Sequence, residues 1–181
     1  MIDLDRWLPD PEITTRHSRT AAVDPDALWN AARSVRLDQT RSIGRLVRWR
    51  IPGVPPDQSF MTLLTEDPFT LLDEGPRHAI SGLCGRIWTL SRDYGDLTGP
   101  DDFLAWNEPR TVRVAFAHWV TPGADGGSTL HSEARVGPTD KVATMRLRAL
   151  WLAVGPFERL IGAEALALAA AQAERLGGRR P

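Results

Sequence analysis

The sequence predicts a single α+β domain in which a curved antiparallel sheet wraps around a long C-terminal helix. Three observations lead there. A strand-like segment followed by short helical segments opens the chain, a run of strands fills Phe69 to Val136, and an apolar stripe at helical spacing occupies most of the remainder. Strand, short helices, antiparallel strands and long helix is the order of a segregated α+β fold. A chain of 181 residues is long enough to build one hydrophobic core and gives no sign of a linker between two.

Residues 1–12 contain Pro9 and Pro11 and no sustained period, so an arm lying on the surface is expected there. The domain proper is expected over 13–176, with 177–181 as a frayed tail. The run ITTRHSRTAAV, Ile13 to Val23, mixes β-branched and polar residues as a strand with one wet face does. Asp24 then caps a helix that has Pro25 in its first turn, and Leu28, Ala31, Ala32 and Val35 recur at helical spacing. A second short helix is expected from Thr40 to Trp49, ended by the prolines of IPGVPP, and a third over Ser59 to Leu64.

Four strands follow: FTLLDE, RHAISGLCGRIWTL, TVRVAFAHWV and STLHSEARV. Gly75 with Pro76 and the loop 122–127 are turn chemistry, and 94–100 reads as an irregular connection before a short strand at Phe103 to Trp106. Strands joined this way are antiparallel neighbours, because parallel pairing needs a longer crossover. Gly82 and Gly85 lie inside a strand pattern, where they permit curvature or close packing. The final helix is expected from Asp140 to Glu174, with Leu147, Leu150, Trp151, Val154, Phe157, Ile161 and Leu168 as its apolar stripe. Gly155 and Pro156 are expected to kink or divide it.

Composition narrows the partners. A net charge of -1 supplies no field of one sign for nucleic acid, and no apolar run approaches the roughly 20 residues that span a bilayer. Lys141 is the only lysine, a bias toward arginine that fits a high-GC bacterial genome. Met1 to Asp10 carries acids where a secretion signal carries bases, so a cytoplasmic location is expected. Cys84, the only cysteine, reads as a small buried apolar residue. His17, His78, His118 and His131 show no metal-ligand spacing, and no metal or other cofactor is expected.

The segments DPDALWNAARSVRL, ISGLCGRIWTL, TLHSEARVGPTD and MRLRALWLAVGPFERLI resemble the START-like helix-grip superfamily. This superfamily, also called SRPBCC, includes pollen-allergen-like proteins, lipid-transfer domains and aromatic polyketide cyclases. The resemblance spans about residues 13 to 175 and points to a bacterial branch known by its fold. It implies binding, carriage or sequestration of a hydrophobic small molecule, a lipid or a polyketide-like aromatic, in an internal apolar cavity. Two alternatives accompany it. One is a cyclase or dehydratase using His118 or Glu133 for proton transfer, and the other is a protein-interaction module without a cavity.

The residues expected to line the cavity are Trp88, Phe116, His118, Leu147, Trp151 and Val154. Which polar groups join them depends on one register. A symmetric turn at 122–127 sets His118 opposite His131 and Phe116 opposite Glu133, so that His118, His131 and Glu133 enter the concavity as a candidate acid/base set. A one-residue bulge instead groups Val112, Val114 and Phe116 with Leu130, Ala134 and Val136, and turns His131, Glu133 and Arg135 outward. The sequence leaves both registers open. Ser81 and Ser132 lie in no nucleophile motif.

Overall fold

The computed structural model describes residues 2–50, 53–89 and 91–178, with the backbone alone for 48–50 and 156–162. In chain order the elements are β1 (Ile13–Ala21), α1 (Pro25–Ser34), α2 (Ile43–Arg50), α3 (Phe60–Leu63), β2 (Thr70–Gly75), β3 (His78–Gly85), α4 (Pro100–Ala105), β4 (Val112–Pro122), β5 (Ser128–Pro138) and α5 (Lys141–Gly177). The strands form one antiparallel sheet in the order β1-β5-β4-β3-β2. The first strand therefore returns to pair with the last.

Local chemistry fixes the helix starts. The Asp24 carboxylate accepts from the backbone N–H groups of Asp26 and Ala27, with Pro25 at the first helical position, and Asp140 accepts from Ala143 at the start of α5. Of the two outcomes expected at Gly155 and Pro156, a kink or a division, the division does not occur, because α5 runs unbroken through them. Proline at 156 removes the N–H that would bond the carbonyl of Leu152. Leu152 is 83% exposed, so water can take that bond and the helix continues.

Two other elements differ from expectation. Residues 103–106 were expected as a short strand, yet Pro100–Ala105 is helical, with proline in its first turn and Asp101 and Asp102 beside the positive helix end. The strand expected over 77–90 stops at Gly85, and of its last residues Leu90 lies outside the described set. Gly85 has a φ of +138°, and a Cβ there would meet the Asp93 carbonyl oxygen at 2.3 Å, so the chain turns where only glycine fits. Gly82 serves close packing, since a Cβ on it would strike the Phe103 ring at 2.6 Å.

Both sheet faces are covered. On the α5 side, Leu166, Ala169, Ala170 and Ala173 join α1 with Val120 and Leu130 in one buried cluster, while Leu147 joins Ile13, Leu83, Val112, Val114 and Val136 in another. On the outer side, Leu4, Trp7 and Leu8 pack with Leu72, Ile80, Cys84, Phe103, Ala115 and Ala117. The arm, expected to lie on the surface, has Leu4, Trp7 and Leu8 buried, because α4 and the sheet leave an apolar outer face that these residues complete. Among the described residues no helix is long and apolar enough to cross a membrane.

Candidate functional site

The β4–β5 register decides which side chains face α5. Trp119 pairs with His131, His118 with Ser132, Ala117 with Glu133 and Phe116 with Ala134, as the bulged alternative required. Pro122 still pairs with Ser128, and a five-residue loop closed by Gly123 N–H donating to the Gly127 carbonyl at 2.8 Å supplies the shift. Since strand side chains alternate, Val112, Val114, Phe116, His118 and Val120 face α5 with Leu130, Ser132, Ala134 and Val136. Ala115, Ala117, Trp119, His131, Glu133 and Arg135 face outward.

The acid/base set of the symmetric register is therefore not assembled. His118 and Glu133 lie on opposite faces of the sheet. His118 is 5% exposed, its Nε2 is 3.1 Å from Ser132 Oγ, and its ring stands edge-on to Phe60 at 5.7 Å between centroids. Burial pushes its pKa down to about 4, so the imidazole is neutral at ordinary pH.

Glu133 belongs to a clamp on the arm. Arg16 bonds it with two nitrogens at 2.8 and 3.2 Å, Arg135 Nε donates to it at 2.7 Å, and Arg135 Nη1 reaches Asp5 at 2.6 Å and the Leu8 carbonyl at 3.0 Å. Burial raises the carboxyl pKa, and the two guanidinium groups more than reverse this, holding it below the ordinary value. His131 stacks on Trp119 with centroids 5.0 Å apart and bonds Thr121 Oγ1 at 2.8 Å. The outward face is thus paired and partly covered rather than freely solvated.

Along α5 the described side chains differ in burial, and those at 156–162, Phe157 and Ile161 among them, lie outside the described residues. At its N-terminal end Leu147 is buried, and at its C-terminal end Ala165, Leu166, Ala169, Ala170 and Ala173 are buried. Between them the sheet presents Phe116, Ser132 and Ala134, all partly exposed, and α5 presents Trp151, also partly exposed. Phe69, from the segment before β2, stands edge-on to Phe116 at 5.8 Å, and Phe60 reaches in from α3. Trp88, Phe116 and Trp151 all pack against the cluster that contains Leu147, so four of the residues expected to line a cavity are gathered there. Val154 is 41% exposed and is not part of that cluster.

A sheet whose first strand pairs with its last, short helices between β1 and β2, and a long C-terminal helix lying along one face complete the architecture. The chain has a helix-grip fold. No family model matches the sequence, and no similar curated protein is found. Among solved structures, the helix-grip chain is similar to Ara h 8.0201, with 12% identity, a TM-score of 0.36, and coverage of 89% of this chain and 97% of that one. It is similar also to the Zhui aromatase/cyclase from Streptomyces sp. R1128, with 13% identity, a TM-score of 0.34, and coverage of 90% and 94%. Protein MLL2253 from Mesorhizobium loti gives 14% identity, a TM-score of 0.33, and coverage of 93% and 99%. Likeness this distant transfers no residue role and no activity.

Phe60, Phe69 and Ser132 stand at the site although the sequence did not nominate them. The two phenylalanines come from a short helix and a connection distant in sequence from β4, where no periodicity marks a common face. Ser132 follows from the register alone.

Proposed function

We propose that this helix-grip protein binds a hydrophobic small molecule, a lipid or polyketide-like aromatic, in the middle of the seam between the sheet and α5, for carriage or sequestration inside the cell. The supporting observation is that, among the described residues, buried aliphatic and alanine side chains stand toward both ends of α5 and partly exposed Phe60, Phe69, Phe116 and Trp151 lie between them. In a filled core the middle is the driest part. Trp88, Phe116, His118, Leu147 and Trp151 serve as walls in this reading, with Val154 at the exposed rim. An occupant that buries about 300 Å² of apolar surface gains about 7 kcal/mol before association costs are deducted.

Binding without turnover is favoured over a cyclase or dehydratase. His118, held neutral with a pKa of about 4, is a weak base at neutral pH, and Glu133 is committed to two arginines on the far face. The test is native mass spectrometry of the purified protein, with solvent extraction of whatever it retains, beside titration with 1-anilinonaphthalene-8-sulfonate. A retained apolar molecule or one saturable probe site, weakened by Ala134→Leu, is expected. Absence of both a retained apolar molecule and saturable probe binding would overturn the proposal.

A further inference from the structure

We infer that the molecule held in this seam carries an oxygen acceptor, a carbonyl or carboxylate, that takes the hydrogen bond of Trp88 Nε1; the inference rests on the hydrophobic-binding reading above. The indole N–H is a donor only. In Trp88 it is buried and has no hydrogen-bond partner. An unmet buried donor costs about 1–3 kcal/mol, whereas phenylalanine would supply an apolar ring there with no such penalty.

The position of Trp88 is set by the backbone. Gly85 ends β3, and Thr89 Oγ1 donates to the Arg86 carbonyl at 2.8 Å, closing the turn that carries the indole. The ring packs against the buried cluster of Ile13, Leu83, Val112, Val114, Val136 and Leu147, whose side chains offer carbon and no acceptor; Tyr94 packs on the same cluster, and its hydroxyl is not a partner of the indole. The guanidinium of Arg146 stands 5.9 Å from the Trp88 ring centroid. Donor and cation together favour an oxygen bearing negative or partial negative charge, and disfavour an amine. The nitrogen is buried, so a ligand oxygen meets it as the side chains over it give way.

The experiment titrates the full chain and its Trp88→Phe variant by calorimetry with fluorene, 9-fluorenone and fluorene-9-carboxylate, three ligands of one ring frame. Loss of the N–H should weaken the two oxygenated ligands about 3- to 10-fold and leave fluorene within about twofold. Preference for the carboxylate that fades with salt assigns the acceptor to an acid beside Arg146, and salt-independent preference for the ketone assigns it to a neutral carbonyl. Equal weakening of all three ligands, or of none, overturns the inference while the seam remains a binding site. If none of the three binds the intact protein, the hydrophobic-binding reading fails and this inference with it. Should the variant not fold, the indole N–H resonances of the intact protein decide. One of them moves downfield with fluorenone and stays with fluorene if the inference holds, and none distinguishes the two ligands if it does not.

Discussion

Replacing Ala134 by leucine separates a loosely filled seam from a packed core. Ala134 faces α5 beside Phe116 and is partly exposed. Leucine adds three carbons, and their burial contributes about 0.8 kcal/mol each, roughly 2 kcal/mol together, against about 1 kcal/mol of side-chain ordering. The expected result is a protein unchanged or stabilised by about 1 kcal/mol, with weakened ligand binding because the added carbons occupy the ligand's space. Ala169→Leu is the control, since Ala169 is 1% exposed in the tightly packed C-terminal cluster. Overpacking there costs about 1–3 kcal/mol, which lowers the melting temperature by about 2–4 °C per kcal/mol in a chain of this size. Thermal and urea unfolding of both variants make the comparison. Equal destabilisation by the two substitutions would refute the uneven packing on which the reasoning stands.

Other outcomes follow from the same geometry. Glu133→Gln leaves buried Arg135 with Asp5 as its remaining carboxylate partner and should destabilise the protein by about 1–3 kcal/mol, with faster proteolysis in residues 1–12; the Asp5 pair and largely exposed Arg16 keep the loss below that of a fully buried pair. Because the Glu133 pKa is lowered by folding, its contribution is complete above the ordinary carboxylate value and is lost as pH falls through the folded value. His118 acts over a different window: its pKa falls from 6.5 to about 4 on folding, so stability is complete above 6.5 and declines by about 3 kcal/mol as pH drops toward 4. Urea midpoints of His118→Gln should lack that decline. Cys84, whose thiol is pushed up to about 12 by burial, should resist Ellman's reagent at pH 8 in the native protein and react once unfolded.

Much of the fold was legible because its signals are local. Asp24 followed by Pro25, the alternating strands and the aliphatic stripe from Leu147 each report on their own element. The misread segments were those decided by neighbours. Pro100 with two aspartates is a helix start that the short apolar run at 103–106 obscured, and Leu4, Trp7 and Leu8 looked like a surface arm because nothing local shows the apolar face they cover. The candidate site divides in the same way. Phe116, Leu147 and Trp151 sit in strongly patterned elements and could be nominated, while the separation of His118 from Glu133 hung on whether Pro122 pairs with Ser128. A one-residue difference in a glycine-rich loop carries almost no sequence signal and exchanges the faces of a whole strand.

A crystal structure of the protein grown with 9-fluorenone tests the central claim most directly. Density for the ligand between Phe116 and Trp151, with Leu147 and Ala169 still tightly packed at either end of α5, is the predicted result. A seam closed by side chains along its whole length, with the ligand elsewhere or absent, would contradict it.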